Sequence, residues 1–183
     1  MNVSISANHA QDALLYTFIN LSENGCEIVQ LAEVVAVFYR NRDPERAAAM
    51  AAYMKERFPY LGIGKPARTK LQSSFIKEYR RSATIDWDLI SRLWALPERE
   101  FQYLAVDYLL SLKQHLVFDD VDQLKTLVVS KPWWDTVDLL ASHAVGSLCL
   151  RYPSLIHTHI LKWAGSGNIW LARTAILFQL KYK

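Results

Sequence analysis

Apolar positions recur along this chain at intervals of three and four residues, the period of helices that bury one face. Leu14, Leu15, Phe18 and Leu21 form such a stripe and predict a helix over residues 9–21, after a frayed start over residues 1–8. Asn24-Gly25 breaks it. Ile28, Leu31, Val35 and Phe38 carry the stripe through residues 27–39. The run Val34-Val35-Ala36-Val37-Phe38 also reads as a strand, but its place inside a longer helical stripe assigns it to helix. Asp43-Pro44-Glu45 joins a capping side chain, a proline of suitable φ and an acidic first turn, and opens an alanine-rich helix ending near Arg57. After a loop at Gly62 and Gly64, Lys65-Pro66 opens a helix to about Arg81.

The second half repeats the theme. Asp86 caps a short helix bearing Trp87, Leu89, Ile90, Leu93 and Trp94. Pro97-Glu98 starts another, with Phe101, Leu104, Ala105, Tyr108 and Leu112 on its stripe. Further helices are predicted over residues 121–129, 133–152 and 153–163, and from Ile169 towards the terminus after the turn and cap Gly165-Ser166-Gly167-Asn168. No strand or hairpin signal intervenes. From Asp86 onward the helices fall into pairs of roughly 35 to 45 residues, the period of stacked helical repeats. Periodicity therefore predicts an all-α fold of stacked helix pairs.

Composition narrows the class. A chain of 183 residues with 51% hydrophobic positions supports one domain or a short repeat array, and 21% charged residues argues against disorder. The net charge of +3 is mildly basic and says little by itself about nucleic acid. Cys26 and Cys149 are far apart and form no C-x-x-C pair, which fits a reducing compartment without structural zinc. Neither a secretory signal nor a bilayer-length apolar run is apparent, so a soluble, cytoplasmic protein is the expectation.

Candidate chemistry is concentrated at residues 131–138, K-P-W-W-D-T-V-D. Pro132 suits a first helical position, and Trp134 and Asp138, four apart, share one helix face. Trp133, about 100° around the helix, is assigned to the core while Trp134 is presented. In the alternative reading both tryptophans are core and both aspartates are solvated charges favoured by the helix dipole. Lys70, Lys77, Arg80 and Arg81 read as a solvated face. His157 and His159 point to different helix faces, so no metal site is expected there, and His143 reads as packed or capping. Phosphate-binding glycine loops and Ser-His-Asp or Cys-His arrangements are absent.

Three blocks resemble the AlkD-like DNA alkylation-repair glycosylases: Y-M-K-E-R-F-P-Y-L-G-I at residues 53–63, W-W-D-T-V-D at 133–138, and N-I-W-L-A-R-T-A-I-L-F-Q-L-K-Y-K at 168–183. They lie in the family's order, and the similarity runs from about Arg46 to the last residue. The resemblance implies a curved HEAT-like α-solenoid of stacked antiparallel helix pairs with a concave face, one repeat domain over residues 1–183. It implies a monofunctional glycosylase, monomeric and without cofactor or metal, hydrolysing the N-glycosidic bond of cationic N3- or N7-alkylated purines in double-stranded DNA. In use it would be associated with the nucleoid.

The resemblance also assigns roles. Trp134 matches the tryptophan that contacts the damaged nucleotide, Asp138 the carboxylate that faces the sugar carbon, and Arg173 the arginine on backbone phosphate. Tyr53 falls near an aromatic position of the family's cleft, the alternative being a half-buried helix tyrosine. Lys162 and Lys65 are further candidate phosphate contacts. Two departures accompany the match: Gly64 stands where relatives often carry a polar side chain, and the chain ends at Lys183 whereas family members continue through further helices. A non-catalytic HEAT-like DNA-binding module and a protein-interaction scaffold are the competing readings. Asp138 beside Trp134 favours the enzyme over the first of these.

Overall fold

The computed structural model describes residues 25–182; the expected frayed start and the helix over residues 9–21 lie outside the described residues. Every regular element among the described residues is helical, and the fold is all-α. The chain divides into two compact units at the Phe75–Ile76 boundary.

In the first unit, α1 (Gly25–Arg40) carries residues 34–38 as helix and buries Leu31, Val34, Val35 and Phe38 at helical spacing. Its face packs on α3 (Lys65–Leu71). Between them, α2 (Pro44–Tyr53) starts as the sequence predicts, with Asp43 Oδ1 accepting the Arg46 amide at 3.0 Å. It ends one turn early. Lys55 and Glu56 both take left-handed φ, 57° and 53°. The Glu56 amide donates to the Ala51 carbonyl and the Lys55 amide to Ala52, the paired bonds of a Schellman stop. Gly62, at φ 85°, then lies against the start of α2, where an added Cβ would sit 2.1 Å from the Asp43 carbonyl oxygen. The helix expected from Lys65 to Arg81 is interrupted at buried Gln72, whose φ of −89° and ψ of −4° separate α3 from α4 (Ser73–Tyr79). Lys70, Lys77, Arg80 and Arg81 are exposed, and Arg81 pairs with Glu78 at 2.7 Å.

The second unit holds α5 (Trp87–Ala95), α6 (Arg99–Ser111) and α7 (Asp120–Val129). Asp86 caps α5 through the Leu89 amide at 2.9 Å. The pattern assigned α6 a single apolar stripe, yet Arg99, Glu100 and Gln102 are buried beside Phe101, Leu104, Ala105 and Tyr108. α6 packs between α5 and the helix that starts at Trp134. That helix comprises α8 (Trp134–Leu139), a π-helical segment (Leu140–Val145) and α9 (Gly146–Arg151). A second π segment (Ile156–Ile160) leads into α10 (Leu161–Ala164). α11 (Ile169–Leu177) packs on α7, α8 and α10, with Asn168 Oδ1 accepting the Trp170 and Leu171 amides. No helix among the described residues is long and apolar enough to cross a membrane.

Gly146 is where the end of α11 meets α9. A Cβ there would lie 2.3 Å from the Phe178 carbonyl oxygen, a backbone atom that cannot turn aside. The Tyr182 hydroxyl donates to the Gly146 carbonyl at 3.0 Å from the same side. Alanine raises helix propensity, by about 1 kcal/mol, but must push the chain at Phe178 away. Gly146→Ala is expected to destabilise the protein by about 1–3 kcal/mol, read as a lowered urea midpoint.

Candidate active site

The start of α8 differs from the sequence expectation. Pro132 does not occupy the first helical position. Trp133 is the N-cap, in extended conformation with φ −159° and ψ 160°, and α8 begins at Trp134. Long-range bonds set this start. Arg99 Nη1 donates to the Lys131 carbonyl at 2.9 Å, and Lys131 Nζ donates to the Leu96 and Ala95 carbonyls at 2.6 and 3.2 Å. Lys131 takes φ 48°, so the chain is turned and pinned to the end of α5 before Pro132 can join a helix. Burial, with the nearby Arg99 charge, pushes the Lys131 ammonium below its ordinary pKa, and Glu98 partly opposes this.

Asp135 is not a solvated charge. Its side chain is 7% exposed and that of Arg99 is 0% exposed. The guanidinium grips the carboxylate by a fork, Nε to Oδ2 at 3.1 Å and Nη2 to Oδ1 at 2.6 Å. The Tyr103 hydroxyl donates to Oδ2 at 2.6 Å and the Thr136 amide to Oδ1 at 2.9 Å. Arg99 Nη2 also donates to Thr136 Oγ1 at 2.8 Å.

Trp134 is 40% exposed. Trp133 is half-buried rather than core, and its ring packs on Trp170 of α11, centroids 5.6 Å apart and planes tilted by 56°. One turn after Trp134, Asp138 meets Arg173 of α11 in a second fork, Nε to Oδ1 at 2.6 Å and Nη2 to Oδ2 at 2.7 Å. This pair is open to solvent, with side-chain exposures of 42% for Arg173 and 35% for Asp138. The hydrogen bond to Asp138 raises the Arg173 pKa further above its ordinary value, against a smaller effect of burial. Ser142 Oγ donates to the Asp138 carbonyl at 2.7 Å within the π segment. Such segments insert a residue into a helix and often lie at functional sites.

A family model described as DNA alkylation repair enzyme matches residues 34–183. The chain belongs to that family. A solved structure of a predicted DNA alkylation repair enzyme from Enterococcus faecalis is similar to it, with a TM-score of 0.68 and 32% identity over 78% of this chain and 67% of that one. No curated protein matches. A role in repairing alkylation damage to DNA follows from the family.

The structure of this DNA alkylation repair family member brings Asp138 and Arg173 into direct contact and places Trp134 on the same short helix as Asp138. The remaining sequence candidates are all exposed. Lys162 is exposed on α10. Tyr53, the last residue of α2, is 73% exposed rather than half-buried, and Lys65 is exposed at the start of α3. At Gly64 an added Cβ would meet only Arg46 Nη1, at 3.6 Å, so the position has room for a side chain. Among the described residues no group of three His, Cys, Asp or Glu side chains could hold a metal ion. His143 is half-buried on the π segment, and burial, with Lys113 and Lys181, pushes its pKa down.

Sequence reasoning missed Arg99, Tyr103 and Trp170. Arg99 lies 36 residues before Asp135, so no local spacing links them. The one available signal was charge and amide groups falling on a helix otherwise rich in large apolar residues.

Proposed function

We propose that the protein is a DNA glycosylase that hydrolyses the N-glycosidic bond of cationic N3- or N7-alkylated purines in duplex DNA. The observation that carries this reading is a surface carboxylate, Asp138, oriented by the Arg173 fork one helical turn from a half-exposed indole. A purine alkylated at N3 or N7 already carries positive charge, so its departure needs no strong general acid. Positive charge develops on the sugar as the bond breaks. A fixed carboxylate stabilises that charge and orients the attacking water. The Trp134 face adds cation–π attraction for the sugar and base.

Arg173 has a double task in this scheme. Nε and Nη2 hold Asp138, which leaves Nη1 and the second Nη2 hydrogen to donate to a DNA phosphate. Exposed Lys162, Lys65 and Tyr53 supply further contacts to the duplex. The enzyme works as a monomer without metal or cofactor, and acts on nucleoid DNA in the cytoplasm.

Substrate choice follows from a site whose described residues offer a carboxylate and an indole face but no acid placed to protonate a neutral base. Uracil leaves poorly without protonation and offers no positive charge to the indole. Matched duplexes containing 7-methylguanine or uracil, with free base measured over time, test this. Release of 7-methylguanine alone is expected. Efficient uracil release would refute the mechanism, because it requires an acid or a base-reading pocket. Duplex binding without release of either base would favour the non-catalytic DNA-binding module.

A further inference from the structure

The geometry points to Arg99 and Asp135 as positioning residues that set the placement of Trp134 and Asp138; this assignment rests on the reading of Asp138 as the site carboxylate. Two ion pairs flank one short helix and face different neighbours. Asp138 meets Arg173 of α11 at the surface, and Asp135 meets Arg99 of α6 in the interior. The two carboxylates are three residues apart, so whatever fixes Asp135 also fixes the rotation of α8 about its axis.

The inner pair is over-determined for a purely cohesive contact. Four donors converge on the Asp135 carboxylate: Arg99 Nε and Nη2, the Tyr103 hydroxyl and the Thr136 amide. Arg99 reaches on to the Lys131 carbonyl and Thr136 Oγ1, so one guanidinium holds both the entering loop and the first turn. Well-packed apolar residues of similar volume would hold two helices together at least as strongly as a buried ion pair. A planar fork adds direction: it admits one orientation of the carboxylate, and through it one orientation of the helix.

α8 needs that external definition. It is the first stretch of the helix that runs on through the π segment to Arg151, and it has no side-chain cap at Trp133. The π segment that follows gives up the regular bonding of an α-helix where further turns would otherwise stiffen it. The turn bearing Trp134 and Asp138 is therefore held in place by side chains from α6 and α11 as well as by its own backbone. Trp133 against Trp170 and Asp138 against Arg173 brace it on the α11 side. The Arg99 clamp braces it on the other. Loss of the clamp lets Trp134 and Asp138 move while Arg173 stays on α11.

Two variants test this in the full chain. Asp135→Asn keeps the shape of the carboxylate but turns an amide group towards its donors. Tyr103→Phe removes one hydrogen bond and keeps the ring over which the Arg99 guanidinium sits, 5.8 Å from its centroid. With folded protein, Asp135→Asn is expected to lower kcat for 7-methylguanine release about 100-fold, since small misplacement of a reacting group has that effect. Tyr103→Phe is expected to lower it about tenfold by the same reasoning. KM should change far less, the mark of an interaction expressed in the chemical step. In an Asp138→Asn background, Asp135→Asn should lower the rate no further, because the two act through one group.

A readout free of activity accompanies these. In protein labelled with 5-fluorotryptophan, the Trp134 resonance is assigned by its loss in Trp134→Phe. It should shift or split in Asp135→Asn and in Tyr103→Phe. The Trp87 resonance, whose indole donates to Asp120 at 2.8 Å, should stay in place. An unmoved Trp134 resonance in both variants overturns the proposal, as does a kcat retained in both or additive losses in the Asp138→Asn background. Full base release by Asp138→Asn alone would instead sink the reading of Asp138, and the fluorine spectra would then still decide the clamp by themselves.

Discussion

Asp138→Asn is expected to lower base release from a 7-methylguanine duplex by about 10²–10³-fold, the usual effect of removing one group aimed at charge developing in a transition state. The amide keeps the size and shape of the carboxylate, so the loss belongs to charge. Duplex affinity should hold or rise. The carboxylate that repels phosphate is gone, and the Arg173 guanidinium is released from a bidentate partner. Stability should change by less than about 1 kcal/mol, because both members of the pair are more than a third exposed and solvent screens them. Single-turnover release, fluorescence anisotropy with the same duplex, and thermal denaturation give the three quantities. Parallel loss of release and binding would indicate a damaged α8 rather than a missing charge.

Arg99→Ala should have the opposite profile, with its main effect on stability. Arg99 is fully buried, and its removal leaves the Asp135 carboxylate, 7% exposed, with no cation to balance it. Breaking a buried pair by removing one partner costs about 3–5 kcal/mol. The Lys131 carbonyl and Thr136 Oγ1 lose a donor at the same time, which adds to the effect. Denaturant melts of Arg99→Ala beside Arg173→Ala provide the comparison. Arg173→Ala removes an equally well-formed fork from the solvent-exposed pair and should stay within about 1 kcal/mol of the parent. Similar destabilisation of both variants would contradict the assignment of one pair to the interior and the other to the surface.

The two pairs also show what local sequence can and cannot disclose. The caps at Asp43, Asp86 and Asn168 were legible because each is a hydrogen bond to an amide two or three residues on. The stripe on α1 was legible because burial of one face imposes a period of three and four. Trp134 and Asp138 could be placed on one helix face from their spacing, and the family resemblance singled out Arg173. The ends of elements were harder. α2 stops at Tyr53 through two left-handed non-glycine residues that propensity disfavours, and α3 and α4 part at a buried glutamine with no breaker residue.

The sequence by itself determined the helices and most of their starts, because capping and hydrophobic periodicity act within a few residues of chain. Only the tertiary structure decided which aspartate is interior and which is offered to solvent. Asp135 and Asp138 lie on the same turn with the same intrinsic chemistry. What separates them is that α6 brings Arg99 and Tyr103 to one, from 36 and 32 residues away, and α11 brings Arg173 to the other, from 35 residues away. The same distant contacts moved the start of α8 from Pro132 to Trp134: the bonds from Arg99 and from Lys131 hold the loop extended where local preference alone would have begun the helix.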